Sequence, residues 1–387
     1  ELKTIINKKN FLKKRKFSTI QKIVLKLEKK FNSNRIDIEF AVKGKTFYLF
    51  QIRPLPNPYN KSQENLKSSL VNIEKKIKKL KKKKHDLYGS DTIFSNMSDW
   101  NPAEIIGNKP SPLAISLYKY LITDNNWAKQ RYNFGYADLR NKRLLISFCG
   151  KPYINLNLSI YSLIPNDLPK NFKKKLHLTY LDIIKRKPFL HDKIEFELVF
   201  NCWEPYLKTK IKKRFKKYKY SNEEIQMLEN SLLTLTKNNF QNYKNKFKNI
   251  EKLKQNRIKI LNIKNKLNRS ILLIKDVKKF GIEDFSHAAR YAFISINLLN
   301  SFVQNKILSV EDKENFLSSL DTDLSNFIED QKLFEQKKIS KKILIDKYGH
   351  LRPGTYDITN DAYWQNFKYY FKNDARNKNK YSEKKNI

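Results

Sequence analysis

Cysteine, glycine, proline and acid are all scarce in this chain. Two cysteines, Cys149 and Cys202, are too few for a disulfide framework. Neither stands at a spacing from histidine that suits zinc, and a reducing cytoplasm is the expected compartment. No run of about 18 apolar residues occurs, so no transmembrane helix is expected. The first stretch, "ELKTIINKKNFLKKRK", lacks an uninterrupted apolar segment and a small-residue cleavage site, so it does not read as a signal peptide. It also lacks an initiator methionine, and the chain reads as starting inside something longer.

Lysine, asparagine, isoleucine, phenylalanine and tyrosine are abundant. Lys and Arg number 80 against 38 Asp and Glu, a formal charge of +42. Such a field suits a nucleic-acid or acidic-membrane surface, and it attracts phosphorylated ligands such as ATP. AT-rich coding explains the same mixture without selection, because the cations are spread along the whole chain while Gly (8) and Pro (12) are rare. With 40% hydrophobic residues and 387 positions, the chain has material for two or more domains with real cores.

Periodicity orders the elements. "FSTIQKIVLKLEKKF" (17–31) carries Phe17, Ile20, Val24, Leu27 and Phe31 at helical spacing. Two strand-like runs, "RIDIEFAV" and "TFYLFQIRP", flank Gly44 as a hairpin. A lysine-rich helix with Leu66, Leu70, Ile73, Ile77 and Leu80 on one side follows. Asn101-Pro102-Ala103-Glu104 and Ser111-Pro112 open helices, and Ser221 with Glu224 forms a capping box. Residues 143–159 read as a β patch. The apolar series Ile225–Leu235 and Phe240–Ile250 suggest a helical hairpin or extended arm, and further helices fall at about 284–306, 309–335 and 340–348. The expected class is α+β, mostly α: an α/β remnant over 1–60, a basic linker helix over 61–90, and a mainly helical domain over 91–387.

The hairpin carries the chemistry. Alternate strand residues share a face, so Asp37 and Glu39 go together, as do Gln51 and Arg53. Ile38, Phe40, Phe50 and Ile52 then suit a core. Carboxylate oxygens hold Mg²⁺, and an arginine fork holds phosphate. An amphipathic hairpin with exposed ion pairs has the same pattern.

The order "DIEFA…G…LFQIRP" resembles the end of the ATP-grasp nucleotide-binding domain in the phosphoenolpyruvate synthase/pyruvate phosphate dikinase family. The resemblance there covers about 60 residues and includes the twelve-residue gap from Glu39 to Gln51. It implies ATP and Mg²⁺ as cofactors, with Asp37, Glu39, Gln51 and Arg53 at the nucleotide, Glu39 on the metal and Arg53 on the polyphosphate. "MSDWNPAEIIGNKPSPLAISLYKYLITDNNWAKQRYNFGY" (97–136) and "KYGHLRPGTYDIT" (347–359) resemble the central helical region of synthase-like relatives. His350, Arg352 and Asp357 then sit on a constrained loop, where they bind an acceptor or cap a helix. The expected activity is phosphoryl transfer from ATP, giving AMP and phosphate, through a phosphohistidine on a domain outside this chain to pyruvate or another small acceptor. The chain is expected to be an internal fragment of that enzyme, inactive alone, with no membrane partner. "DFSHAARYAF" is similar to the family's phosphohistidine segment, but it lacks the preceding glycines and continues as an amphipathic helix, so His287 is expected on a core helix. His85, His177 and His191 show no partner in sequence. The rival expectation is a non-catalytic, basic, helical nucleic-acid-binding protein.

Overall fold

The computed structural model describes residues 15–31, 36–44, 46–54, 66–82, 92–352 and 361–371. The chain divides into two compact units: Glu1–Leu66, Ile345–Gly354 and Thr359–Ile387 in one, Lys67–Leu344 and Thr355–Ile358 in the other. Helices dominate, with two small antiparallel sheets. Among the described residues no helix is long and apolar enough to cross a membrane.

In the smaller unit, α1 (Arg15–Lys30) half-buries Ile20, Val24 and Leu27 and leaves Lys22, Lys26 and Lys29 in water. Strands β1 (Ile36–Lys43) and β2 (Thr46–Pro54) follow. Gly44, at φ +61°, makes the left-handed step of their turn. The apolar side of this hairpin is not the core its pattern suggests. Ile38 and Ile52 are only partly covered, Phe40 is 40% exposed and Phe50 69%. A lone two-stranded ribbon has no second layer of its own to bury a face. Phe40 instead stacks on Phe47, with ring centroids 4.9 Å apart.

The larger unit begins with α2 (Leu66–Lys82), whose Lys76 Nζ donates to the Ser147 carbonyl at 2.6 Å. Strand β3 (Phe94–Ser95) lies on one side of the central β5 (Lys151–Asn155), and β4 (Leu145–Phe148) lies on the other. Cys149 (φ 48°) and Gly150 (φ 77°) form the β4–β5 turn, and positive φ at both central residues is what a tight hairpin requires. The expected β patch ends sooner than its alternation suggests. The Asn155 side chain accepts from the Asn157 and Leu158 N–H groups, and the chain turns into a helix, Leu156–Tyr161.

Helices α3 (Pro102–Ile105) and α4 (Pro112–Tyr118) start at the caps read from sequence. Glu104 N–H donates to Asn101 Oδ1, and Ala114 N–H donates to Ser111 Oγ, both at 3.2 Å. Next come α5 (Asn126–Phe134), α6 (Leu156–Tyr161), α7 (Lys170–Arg186), α8 (Leu207–Phe215) and α9 (Asn222–Gln241). The Ser221–Glu224 capping box is complete, and Ile225, Leu228, Leu232 and Leu235 of α9 are buried. The second apolar series does not extend that packing. The helix stops at Asn242, and Phe240, Tyr243 and Ile250 are 40–48% exposed.

After α10 (Asn249–Leu261) and α11 (Lys266–Asp276), the long α12 (Ile282–Gln304) crosses the unit. The span expected as one helix over 309–335 is two, α13 (Val310–Ser318) and α14 (Asp323–Glu335), because Thr322 caps a new start. The core is built on Trp127, Leu144, Ile154, Leu176, Leu198 and Leu232, all at 0% exposure. Helix α15 (Lys341–Tyr348) ends at Gly349, as its sequence suggests, and a short α16 (Phe367–Tyr370) follows.

Candidate functional site

In the hairpin, Asp37 pairs with Arg53 and Glu39 pairs with Gln51. Directly opposed residues of an antiparallel ladder share a face, and Asp37 and Glu39 are two apart. All four register positions therefore lie on one face. The ladder slips immediately afterwards, between Glu39 and Phe40, where Phe40 pairs with Leu49. Phe50 is the extra residue of a β-bulge. Strict alternation would have put Phe50 beside Ile52; the bulge puts Leu49 there instead. Glu39 and Gln51 are exposed. One described carboxylate with an amide across from it is a sparse donor set, and among the described residues no group of three or more His, Cys, Asp or Glu is placed to hold a metal ion. It suits Mg²⁺ only where phosphate oxygens and water complete the octahedron, which is how Mg²⁺ accompanies ATP.

His350 and Arg352 belong to the same unit as the hairpin. Backbone bonds fix their segment: Leu351 N–H to the Tyr348 carbonyl at 3.0 Å, Tyr363 N–H to Leu351 at 2.8 Å, and Trp364 N–H to Gly349 at 3.1 Å. His350 is exposed, Arg352 is half-buried, and Asp357 lies outside the described residues. A side chain at Gly349 would collide with the Ile345 carbonyl, so only glycine lets the chain leave α15 here.

His287 sits on α12 at 2% exposure, bonded to Gln130 and stacked on Phe134, as its apolar surroundings suggest. His177 and His191 do have partners, distant in sequence: the Asn157 carbonyl at 3.0 Å and Ser95 Oγ at 2.7 Å. His177 Nε2 must carry the hydrogen, because a carbonyl only accepts. Its Nδ1 is buried without a partner, and burial pushes its pKa down to about 4. His85 lies outside the described residues.

The most concentrated chemistry in the larger unit was not foreseen. Arg131 of α5 donates from Nη2 to Asp99 at 2.7 Å and to Glu195 at 2.9 Å, and from Nη1 to Ser162 at 2.6 Å. Asp99 also accepts from Ser159 at 3.0 Å. Arg290 of α12 brings Nη1 to 2.9 Å from Glu195 Oε2, although that contact lacks hydrogen-bond alignment. All four charged side chains are at most 10% exposed. Burial raises the Asp99 carboxyl, and Arg131 only partly offsets it. Burial also pushes Glu195 upward, but Arg290 and Arg131 outweigh it and hold the carboxyl below its usual range. Two arginines against two carboxylates leave the cluster neutral. It ties the 96–101 loop, α5, the 194–198 turn and α12 together. Asp99 and Arg131 fall inside the 97–136 stretch singled out in sequence, and Arg290 stands three residues from His287. Nothing separates a buried arginine from a solvated one in a chain with 80 cations.

Compared with known proteins, the chain matches no family model, no curated protein and no solved structure.

Proposed function

We propose that this chain is part of an ATP-dependent phosphotransferase of the phosphoenolpyruvate synthase/pyruvate phosphate dikinase kind, with residues 1–60 as the end of an ATP-grasp domain. The observation that carries the reading is the hairpin register, Asp37 opposite Arg53 and Glu39 opposite Gln51. It sets the four motif positions on one face of the hairpin, 37 opposite 53 and 39 opposite 51. In this reading Glu39 binds Mg²⁺ beside the phosphates, Gln51 and Asp37 orient the nucleotide, and Arg53 stabilises charge on the transferring phosphoryl group. His350 and Arg352 hold the acceptor. The phosphoryl group travels on a histidine outside this chain, since His287 is enclosed in a core helix.

The test uses the gene product that carries this sequence, incubated with Mg²⁺ and β- or γ-labelled ATP. The reading predicts acid-labile, base-stable label on the protein, absent in Arg53→Ala. A folded protein that takes no label but binds RNA with a steep salt dependence would replace this reading with a polyanion-binding one.

A further inference from the structure

A cavity of about 520 Å³ opens in the larger unit between the 194–204 segment, α8 and α12. Its size is that of ordinary small-molecule sites, and no residue proposed above for phosphotransfer lines it. Its charge runs against the rest of the chain. The protein carries 80 cations to 38 acids, yet among the described lining residues three carboxylates, Glu195, Glu197 and Glu204, face two cations, Lys210 and Arg214.

The three carboxylates and Lys210 are already paired. Glu195 is held by Arg131 and Arg290 at 2.9 Å each. Lys210 lies 2.8 Å from Glu204, and Lys193 lies 3.2 Å from Glu197. Arg214 donates to the Leu198 carbonyl at 2.9 Å and covers the Phe200 ring at 3.9 Å. Among the described residues Arg214 has only a neutral carbonyl and a ring against it, so a phosphate or a nucleotide would meet one cation without an ion pair here against three carboxylates.

The uncharged polar groups that α12 brings to the cavity are amides. Asn297, Asn300 and Gln304 are spaced three and four apart and form one stripe of α12 facing the cavity. Among the described residues, the Asn297 NH₂ has only the Cys202 sulfur, at 3.9 Å, as an acceptor. Burial keeps that thiol protonated, pushed up to about 12, so it adds no charge. Asn300 Oδ1 accepts from Lys313 at 2.7 Å, which leaves its NH₂ to donate elsewhere. Phe196 adds an apolar wall, 44% exposed and set edge-on to Phe293 at 5.1 Å.

We infer that this cavity is a binding site for a small, uncharged, hydroxyl-rich ligand of monosaccharide size. Gln304 offers a donor and an acceptor in one plane, Asn300 offers its NH₂ and Asn297 its carbonyl oxygen, which matches hydroxyls that both donate and accept. The Glu197 carboxylate adds acceptors, and Phe196 covers the C–H face of a ring. The inference stands or falls independently of the phosphotransfer reading.

The test is saturation-transfer NMR on the full chain with D-glucose, D-mannose and D-galactose, with inorganic phosphate and L-glutamate as charged probes. The expected result is saturable transfer to at least one sugar and none to either charged probe. Binding should weaken at least tenfold in Asn300→Ala/Gln304→Ala. It should also weaken in Phe196→Ala, a change at a side chain that is 44% exposed, which keeps the protein readable if the double variant misfolds. No transfer to any of the three sugars, transfer to phosphate or glutamate in their place, or sugar binding that survives the folded variants would overturn the assignment.

Discussion

Replacing Arg131 by methionine keeps the length of the side chain and removes its charge. Glu195 still has Arg290 at 2.9 Å. Asp99 is left with the Ser159 hydroxyl at 3.0 Å and a side chain only 3% exposed. The penalty therefore falls mainly on Asp99. Removing one partner of a buried ion pair destabilises by about 3–5 kcal/mol, and that is the expected loss at neutral pH. The pH dependence has a definite sign. Burial already places the Asp99 carboxyl above its ordinary value, and losing Arg131 pushes it further. A carboxyl whose folded pKa exceeds its unfolded pKa weakens the fold above the folded pKa, and the deficit shrinks as pH falls and the proton binds. The Arg131→Met deficit should accordingly be smaller at mildly acidic pH than at neutrality. Asp99→Asn in the same chain should return part of it, giving a coupling of about 1–3 kcal/mol. The assay is urea unfolding followed by tryptophan fluorescence, with the fully buried Trp127 reporting on this core. A loss under about 1 kcal/mol, below the range for a buried pair, or strict additivity with Asp99→Asn would refute the reasoning.

Two further perturbations test the larger unit. His177 has a folded pKa of about 4 against an ordinary 6.5, so protons prefer the unfolded chain. Its contribution, about 3 kcal/mol, is fully present above pH 6.5 and is lost as pH falls toward 4. His177→Gln, which keeps a donor for the Asn157 carbonyl, should flatten the stability–pH curve in that window; an unchanged slope would show that His177 is not the group that titrates. Ser221→Ala removes the Oγ that accepts from Glu224 N–H at 3.1 Å. It should cost about 1 kcal/mol, read as a lower urea midpoint at constant slope.

Local chemistry was legible in the sequence, and distant contacts were not. The caps at Asn101, Ser111 and Ser221 are each settled within three residues, and the structure makes all three. The hairpin was legible because its period-2 pattern and Gly44 sit side by side. The bulge at Phe50 was not, since the strand alternates smoothly through it and only pairing with β1 reveals the slip. The exposed apolar face of that hairpin was missed for a related reason: a pattern shows that a face is apolar, not whether a second layer covers it. His177 and His191 find partners in Asn157 and Ser95, 20 and 96 residues away. The Asp99–Arg131–Glu195–Arg290 cluster gathers four separate segments, and the surplus of lysine and arginine hid its two cations among dozens of solvated ones. Nothing in the sequence marks the cavity amides on α12, since the segments they face are distant along the chain.

The most direct test of the account is Mg·ATP affinity, measured by equilibrium dialysis on the gene product that carries this sequence, in wild type, Glu39→Ala and Gln51→Ala. Both residues are exposed, so each change should cost no more than a surface substitution, about 0.5 kcal/mol. The account predicts that each weakens Mg·ATP binding by about tenfold or more, equivalent to about 1.4 kcal/mol, and that the Glu39→Ala loss is larger with Mg²⁺ than without it. Affinity unchanged in both folded variants would contradict the nucleotide-binding role of the hairpin face.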